Sequence, residues 1–399
     1  MSESKEVTQN LWRVTAADFV VRTAYQMGKT PLLPLFAASI GAGPLLLGFI
    51  VSVSTMTGFF FKPIFGFLSD RNGRRLWMLI GIAVFSLMPF LYWLVETPQH
   101  LVVLRLFHGL ATAIFGPVTL AYVAALAVQK RATRQGWFGL ARSGSYLIAP
   151  TAAAWLLQFF SPEMVFSIIG AVSLVAFLPV FFLTEHRRHG PVSRSNGNPM
   201  TTFLRAAKTA SNSPVLWFAG TMEMAIYVAT YAIKAFLPLY AHLQLGVDLL
   251  TVGLFFTVQE SLNLLARPIG GKLADHFGLR NTLAVALLVL SLAMSMLPFA
   301  STAMQFLLIA GAMGAALGVS LPTIIALYSQ HLPDQNLGLG MGLLGTIRNL
   351  GKIAGPVVGG ALLAFATYTT LFSVCAALIL LLAITITFRT SRQENTDFI

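Results

Sequence analysis

The sequence predicts an all-α protein that crosses a membrane twelve times, and three observations support this prediction. Hydrophobic residues make up 56% of the 399-residue chain and charged residues only 10%, whereas soluble domains carry about a quarter charged residues. Apolar stretches of the length that spans a bilayer, about 20 residues, recur along the whole chain. Basic residues gather in alternate connections between these stretches, which is typical of membrane proteins with positively charged cytoplasmic loops.

Polar breaks separate the apolar stretches and define the predicted helices. The twelve predicted spans cover residues 12–38, 44–69, 75–95, 98–127, 135–160, 164–184, 214–241, 248–274, 280–300, 302–329, 338–366 and 368–389. An even number of spans places both termini on the same side of the membrane.

The distribution of basic residues predicts which side that is. Connections after the second, fourth, sixth and eighth spans carry the basic residues, among them Arg71, Arg74, Arg75, Lys130, Arg134, Arg187, Arg205 and Arg280. The alternate connections, near Glu96, Glu163, Asp248 and Thr367, contain no Lys or Arg. We therefore expect both termini in the cytoplasm of a plasma-membrane protein, most simply a bacterial inner-membrane protein. The net charge of +12 is then explained by these loops, and we expect no nucleic acid partner.

The chain contains an internal repeat. The stretch KPIFGFLSDRNGRR at 62–75 is echoed by RPIGGKLADHFGLR at 267–280, an offset of 205 residues. The same offset relates Asp18 to Glu223 and Lys29 to Lys234. We predict two six-helix halves in parallel orientation, 1–184 and 214–399, joined by a basic cytoplasmic linker over 185–213. Transporters built from such repeats hold substrate near the midplane, between the halves.

One motif carries a family resemblance. It reads Gly66-x-Leu68-x-Asp70-Arg71-x-Gly73-Arg74-Arg75, and a weaker copy contains Gly271, Asp275, Gly278 and Arg280. The motif resembles the signature between helices 2 and 3 of the major facilitator superfamily, and the resemblance covers the whole chain. It implies control of conformational cycling, because a carboxylate near arginines can latch helices together by charge-assisted bonds. The alternative is a charge cluster that serves topology alone.

Two further motifs favour an export subgroup of that superfamily. Arg105-x-x-x-Gly109 is similar to the family's intramembrane arginine motif, which is associated with proton coupling. In the eleventh span, Gly351-x-x-x-Gly355-Pro356-x-x-Gly359-Gly360 resembles the glycine–proline motif of the antiporters. That motif usually sits in the fifth span, where this chain has only a degraded form around Pro150. The alternative is a closely packed, flexible helix that any family member could use.

Ten ionisable residues lie well inside the predicted spans, away from the helix ends, and each costs roughly 2.5–3.5 kcal/mol at a helix centre. They are Asp18, Arg22, Lys29, Arg105, Arg142, Glu223, Lys234, Glu260, Arg348 and Lys352. Such residues line a wet cavity or pair with one another. Because Asp18 and Arg22 are four residues apart on one helix face, we expect them to form an ion pair. Asp18, Glu223, Glu260 and Arg105 are the candidates for proton coupling, with interhelical salt bridges as the alternative.

Basic residues outnumber acids among these ten, which favours an anionic or zwitterionic substrate. Arg142 and Arg348 hold equivalent positions, each eight residues before a proline, and guanidinium groups can grip a carboxylate or phosphate bidentately. The predicted substrate site comprises Arg142, Arg348, Lys352, Lys29, Lys234, Tyr25 and Tyr227. The alternatives are that the acids neutralise these cations internally and that the tyrosines belong to the core.

No phosphate-binding loop, dinucleotide fingerprint or HExxH zinc motif is found in the sequence. We therefore expect no cofactor, no metal and no enzyme activity, and energy from an ion gradient or from exchange. The sequence predicts a monomeric secondary transporter in the lipid bilayer, which works by alternating access and exports a small organic solute against protons. The alternatives are an organic-anion carrier, by proton symport or anion exchange, and a non-transporting membrane sensor.

Overall fold

The computed structural model describes residues 2–126, 131–184, 214–330 and 337–394, and these residues form helices without any strand. The α-helices are α1 (Ser2–Met27), α2 (Leu32–Ser39), α3 (Pro44–Asn72), α4 (Arg74–Leu87), α5 (Pro98–Leu126), α6 (Arg131–Leu156), α7 (Pro162–Leu174), α8 (Phe177–Phe181), α9 (Pro214–Leu239), α10 (Leu249–Phe277), α11 (Leu279–Met296), α12 (Ala303–Ser329), α13 (Leu337–Leu363) and α14 (Tyr368–Glu394). The predicted linker 185–213 lies outside the described residues.

Every predicted span has a helical counterpart, so the all-α prediction is confirmed. Within the described ranges, nine helical stretches are long and apolar enough to cross a membrane. The other three predicted spans correspond to α1 with α2, to α6 and to α13, which contain Asp18, Arg142 and Arg348. Charged residues lower the mean hydropathy of these helices. Asp18, Arg142 and Arg348 therefore lie in the least apolar spans, whereas the buried Arg105 and Glu223 lie in spans that are apolar enough to cross a membrane.

Prolines divide or distort several predicted spans, because proline has no backbone N–H and fixes φ. The first span is not one helix over 12–38, since Pro31 separates α1 from α2. The sixth is divided into α7 and α8, because Pro179 cannot bond the carbonyl of Val175. Three other spans end in altered turns at a proline: 3₁₀ turns at Met88–Leu94 (Pro89) and Leu297–Phe299 (Pro298), and a π turn at Tyr240–Gln244 after Pro238.

Single glycines connect two pairs of helices. Gly73 joins α3 to α4 with φ +96°, and Gly278 joins α10 to α11 with φ +83°. Residues with a Cβ rarely adopt this left-handed region, so glycine is required for such short turns. Gly41 and Gly246 also have positive φ and are again 205 residues apart. The backbone thus repeats the offset found in the sequence.

The contacts group the described residues into two compact units. Unit 1 contains the chain up to residue 184 together with Lys234–Thr257. Within it, α1 packs against α6, α3 against α5, and α4 against both α5 and α7. Val14, Val21, Ile82 and Phe115 lie in its buried apolar core.

The segment Lys234–Thr257 contacts α6 within unit 1. The hydroxyl of Thr257 donates to the carbonyl oxygen of Leu147 at 2.7 Å and lies 2.7 Å from the hydroxyl of Thr151. A Cβ added at Gly253 would lie 2.5 Å from the Cβ of Ala154. The contact units and the predicted halves therefore divide the chain at different residues, and the division into 1–184 and 214–399 stays a prediction.

Unit 2 contains the remaining described residues, 214–233, 258–330 and 337–394. Within it, α11 packs against α12 and α14. These helices hold the same places in the repeat as α4, α5 and α7 of unit 1, where α4 packs against α5 and α7. The repeat in sequence therefore has a counterpart in packing.

The distribution of polarity is the reverse of that in a soluble protein. Phe60 and Leu292 are 63% and 62% exposed, whereas Asp18, Arg105 and Glu223 are at most 1% exposed. Large apolar side chains on the surface are suited to lipid, and the ionisable groups are buried in protein.

The close contact between α3 and α5 gives a first prediction. A Cβ added at Gly109 would lie 2.7 Å from the Cβ of Thr57 and 2.9 Å from the Cα of Ser54. Gly109→Ala should lower the midpoint of thermal unfolding of the purified protein, because overpacking a tight interface costs roughly 1–3 kcal/mol. Gly136→Ala is the control, since a Cβ there meets no atom within 4 Å. Equal midpoints for the two variants would contradict the tight packing at Gly109.

Candidate functional site

A buried carboxylate connects three helices of unit 1. Asp18 of α1 accepts hydrogen bonds on Oδ2 from Nε of Arg22 at 2.8 Å and from Nε of Arg142 at 3.1 Å. Its Oδ1 accepts from Nη2 of Arg142 at 2.9 Å and from the Thr119 hydroxyl at 3.2 Å. Both oxygens of the carboxylate are thus occupied by donors, and the expected ion pair between Asp18 and Arg22 is confirmed.

A second buried carboxylate lies at the equivalent position in unit 2. Oε1 of Glu223 on α9 accepts a hydrogen bond from Nε of Arg348 on α13 at 2.7 Å. Oε2 is buried and accepts no hydrogen bond from any of the described residues. Asp18 and Glu223 are 205 residues apart, and Arg142 and Arg348 are 206 apart. The same acid–arginine pair therefore occurs in both units, but it is fully bonded only in unit 1.

Two tyrosines on α9 face the cations of α13. Nζ of Lys352 lies 4.9 Å from the ring centroid of Tyr227 and 5.6 Å from that of Tyr231. Cζ of Arg348 lies 5.8 Å from the Tyr227 ring. Aromatic faces at these distances attract cations, so the rings help to hold Arg348 and Lys352 toward α9.

The glycine–proline motif sets the distance between these two helices. A Cβ added at Gly351 would lie 2.7 Å from the carbonyl oxygen of Met224, and one at Gly355 would lie 2.5 Å from that of Val228. The α13 helix continues through Pro356, and Gly359 and Gly360 are also buried. Because glycine has no side chain, α13 lies close to the backbone of α9 at this contact. Arg348 can therefore reach Glu223.

Arg105 of α5 lies among hydroxyl groups and a histidine. It is only 1% exposed and donates from Nη2 to the Ser54 hydroxyl at 2.6 Å and from Nη1 to the Tyr92 hydroxyl at 3.4 Å. Its buried Nε has no hydrogen-bond partner among the described residues. Nδ1 of His108 lies 3.3 Å from the same Tyr92 hydroxyl. Arg105 is thus a deeply buried cation held by neutral groups.

Tyr25 of α1 and Lys29 in the turn after α1 extend this cluster. The hydroxyls of Tyr25 and Ser54 are 3.2 Å apart and share a hydrogen bond. Nζ of Lys29 donates to the Thr55 hydroxyl at 3.5 Å and lies 5.7 Å from the Tyr25 ring centroid. Both Tyr25 and Lys29 are only half-buried. A solute in contact with these two side chains would be connected to Arg105 through Ser54.

The remaining predicted site residues lie on α9 and α10. Nζ of Lys234 lies 5.9 Å from the ring centroid of Phe256 in unit 1. Glu260 is half-buried in unit 2, and its Oε2 accepts a hydrogen bond from the Asn263 amide at 3.1 Å. Glu260 and Asn263 therefore lie on the same face of α10.

The signature motif forms a latch in unit 1. Arg74 donates from Nε and Nη2 to Oδ1 of Asp70 at 3.1 and 2.8 Å, and from Nη1 to the carbonyl of Ala121 on α5 at 3.1 Å. Arg75 donates to the carbonyl of Phe181 at 2.5 Å, and Arg71 lies over the Phe67 ring. These bonds tie α3 and α4 to α5 and α8.

The two motif glycines Gly66 and Gly271 do not mark close helix contacts. A Cβ added at either position would meet no atom within 4 Å. The glycines of the motif that the backbone requires are Gly73 and Gly278, because of their positive φ.

The comparisons with known proteins agree with this geometry. The model of the Major Facilitator Superfamily matches residues 19–303 and 224–398 of the chain. The chain belongs to the Major Facilitator Superfamily. Members of this superfamily are membrane transporters, so the chain is a multi-pass transporter of the plasma membrane and is not an enzyme.

Curated relatives within the superfamily are similar over most of the chain. Multidrug resistance protein MdtG of Salmonella typhimurium is 26% identical over 367 residues, which cover 89% of each chain. The MdtG protein of Citrobacter koseri is 27% identical and covers 89% of this chain and 88% of its own.

Solved structures of superfamily transporters share the fold. The nucleoside transporter NupG matches with a TM-score of 0.76 at 13% identity and covers 95% of this chain and 98% of its own. A bacterial homologue of the human lysosomal transporter Spinster matches with a TM-score of 0.74 at 14% identity and covers 98% and 97%. At these identities the likeness shows the fold alone, and it confirms the predicted all-α fold of the superfamily.

Sequence reasoning named the charged residues of this superfamily member but missed their neutral partners. Thr119, Ser54 and Tyr92 supply hydroxyls to Asp18 and Arg105. Their signal in the sequence is weak, since hydroxyl residues are common in membrane helices and often bond their own backbone, as Thr119 also does. The pairing of Asp18 with Arg142 was also missed, although both residues were named.

The difference between the two acid–arginine pairs gives a second prediction. Among the described residues, Asp18 is the one carboxylate that Arg22 and Arg142 bond, and breaking a buried ion pair costs about 3–5 kcal/mol. Both Asp18→Asn and Glu223→Gln keep one acceptor oxygen. At Glu223 this oxygen can still accept the single bond from Arg348, whereas at Asp18 it replaces a carboxylate that accepts four bonds, so Glu223→Gln should cost less. Thermal unfolding of the purified full chain should therefore show a lower midpoint for Asp18→Asn than for Glu223→Gln. Equal losses would mean that the additional donors at Asp18 contribute nothing to stability.

Proposed function

We propose that this transporter exports a small organic solute in exchange for protons, and that the Glu223 carboxyl group carries the proton. The observation that supports this assignment most strongly is the unpartnered Oε2 of Glu223, beside an Oε1 held by Arg348 at 2.7 Å. A proton can bind Oε2 without displacing a donor. At Asp18, protonation would have to break an existing hydrogen bond, because both oxygens accept two.

Protonation of Glu223 changes the charge that α9 and α13 present. The ionised carboxylate neutralises Arg348, whereas the neutral carboxyl leaves that guanidinium charge uncompensated beside Tyr227. Arg348 can then attract an anionic group of the solute or lose its hold on α9. Proton binding at Glu223 therefore changes the affinity of Arg348 for the solute, and the two binding events are coupled.

The direction of transport is supported by relatives and by one motif. The similar curated proteins are named multidrug resistance proteins, at 26–27% identity over 89% of this chain. The glycine–proline face of α13, which resembles the antiporter motif, packs directly on α9 at Met224 and Val228. Both observations favour export. We further propose that the protein works as a monomer in a bacterial inner membrane with cytoplasmic termini.

Glu223→Gln should abolish transport driven by a pH gradient, because glutamine cannot take up the proton. Proteoliposomes of the purified protein, loaded with a panel of labelled small organic solutes, measure this flux under an imposed gradient. Exchange of solute for solute without a gradient should persist in the variant, which shows that folding and binding are intact.

Glu96→Gln serves as the matched control, since Glu96 is exposed in the connection between the third and fourth spans. Full pH-driven flux in Glu223→Gln would refute the assignment of the proton. Loss of that flux in Glu260→Gln instead would transfer the role to Glu260, the candidate acid that is half-buried.

The charge of the solute is suggested by the cluster around Arg105. Neither Arg105 nor Lys29 pairs with a carboxylate of the described residues. An anionic or zwitterionic solute can therefore bind Lys29 without displacing a protein acid. At Arg142 and Arg348 it would have to compete with Asp18 and Glu223. The same observation favours a second candidate function, an organic-anion carrier that works by proton symport or anion exchange.

Lys29→Gln should weaken binding of an acidic solute about tenfold, because hydrogen bonds to charged groups contribute roughly 1.5–3 kcal/mol. Binding is measured by thermal stabilisation of the purified protein with acidic solutes and their uncharged amide analogues. Lys272→Gln, at an exposed position on α10, should bind the acids as the wild type does. Unchanged affinity in Lys29→Gln would exclude Lys29 from the solute site.

A further inference from the structure

A polar cavity opens in unit 2 where α10 passes into α11 and α12 ends. Its volume is about 600 Å³, and its lining includes Asp275, Arg280, Asn281, Ala326 and Gln330. The cavity therefore presents one carboxylate, one guanidinium and two amides. Groups of both charge signs in one cavity are suited to a zwitterion.

An apolar groove lies beside this cavity on the same three helices. Its volume is about 480 Å³, and its lining includes Phe277, Asn281, Val285, Val289, Ala316 and Val319. Asn281 lines both spaces. Along α12, Val319 precedes Ala326 by seven residues, which is two turns, so both lie on one face of the helix. The two spaces together form one path from a polar end to an apolar end.

The internal repeat shows which chemical group the polar end lacks. In unit 1, Arg74 bonds Asp70 and the carbonyl of Ala121. The residues 205 positions later are Leu279, Asp275 and Ala326, and all three line the cavity. Because leucine replaces the arginine, Asp275 makes no ion pair with any residue in the described part of the chain. The cation that closes the latch in unit 1 has no counterpart on the chain in unit 2.

We propose that this path binds one phospholipid whose headgroup carries a primary ammonium beside its phosphate, as in phosphatidylethanolamine. The ammonium donates to the Asp275 carboxylate and the Ala326 carbonyl, as the Arg74 guanidinium does in unit 1. The phosphate accepts from the Arg280 guanidinium, which can bind it bidentately. One acyl chain lies in the groove along Val285 and Val289, where the bilayer offers hydrocarbon and no water.

Native mass spectrometry of the full chain in detergent tests this site, with dioleoyl-phosphatidylethanolamine as the probe. The wild type should bind one lipid molecule above the background of weakly bound lipid. Asp275→Asn and Leu279→Arg should each weaken this binding about tenfold. The first removes the partner of the ammonium, and the second supplies an internal guanidinium in its place. Dioleoyl-phosphatidylcholine has an ammonium group without an N–H to donate. It should bind the wild type as weakly as dioleoyl-phosphatidylethanolamine binds these two variants.

A pair of variants on α11 tests the groove independently of the headgroup. Val285→Trp fills the groove and should also weaken binding, whereas Leu292→Trp, at a 62% exposed position that does not line it, should not. Equal affinity of the wild type for phosphatidylcholine, or tighter binding of phosphatidylglycerol, would overturn the ammonium assignment. Unchanged affinity in Leu279→Arg, Asp275→Asn and Val285→Trp would overturn the site. Lipid binding is measured without transport, so the outcome is independent of the proposed antiport.

Discussion

The cost of a charge in hydrocarbon is the constraint on which the rest of this structure depends. An ionised side chain at membrane depth has to be paired or hydrated. In unit 1 the Asp18 carboxylate and two arginines meet this requirement together, and in doing so they fix α1 against α6. In unit 2 the Glu223–Arg348 bond fixes α9 against α13 in the same way. Three of the four helices that these pairs connect, α1, α6 and α13, are not apolar enough to be recognised as membrane spans by composition alone, whereas α9 is.

Backbone proximity makes the second of these bonds possible. Gly351 and Gly355 place α13 against the α9 backbone at Met224 and Val228. Arg348 lies three residues before Gly351 on the same helix, and this close contact brings its guanidinium within reach of Glu223. The glycine motif and the charged site are therefore one arrangement. The glycines allow a short distance between α13 and α9, and the ion pair between Arg348 and Glu223 depends on that distance. A bulkier helix face would leave both charges buried without partners, at the full desolvation cost of each.

The fold could be predicted from the sequence much further than the site. Apolar length and the placement of basic residues predict each span, and the offset of 205 residues predicts the helix pairs that recur in both units. Helical spacing also predicts the bond between Asp18 and Arg22, because both lie on one helix. It could not predict the bond from Asp18 to Arg142, which crosses 124 residues of chain, because periodicity defines the face of a helix but not the neighbour of that face. The division at Pro31 follows from proline chemistry, which a hydropathy pattern does not contain.

The one-residue turns at Gly73 and Gly278 have a mechanical consequence. A single residue spans at most about 3.6 Å, whereas sliding one helix past another by a full turn requires about 5.4 Å. The connection thus has too little slack for α3 to slide along α4, or α10 along α11, by one turn. Each pair of helices therefore has to tilt or shift as one rigid body, so that a displacement of α3 also moves α4. In unit 1 the bond from Arg74 to Ala121 attaches the α3–α4 pair to α5, which carries Arg105.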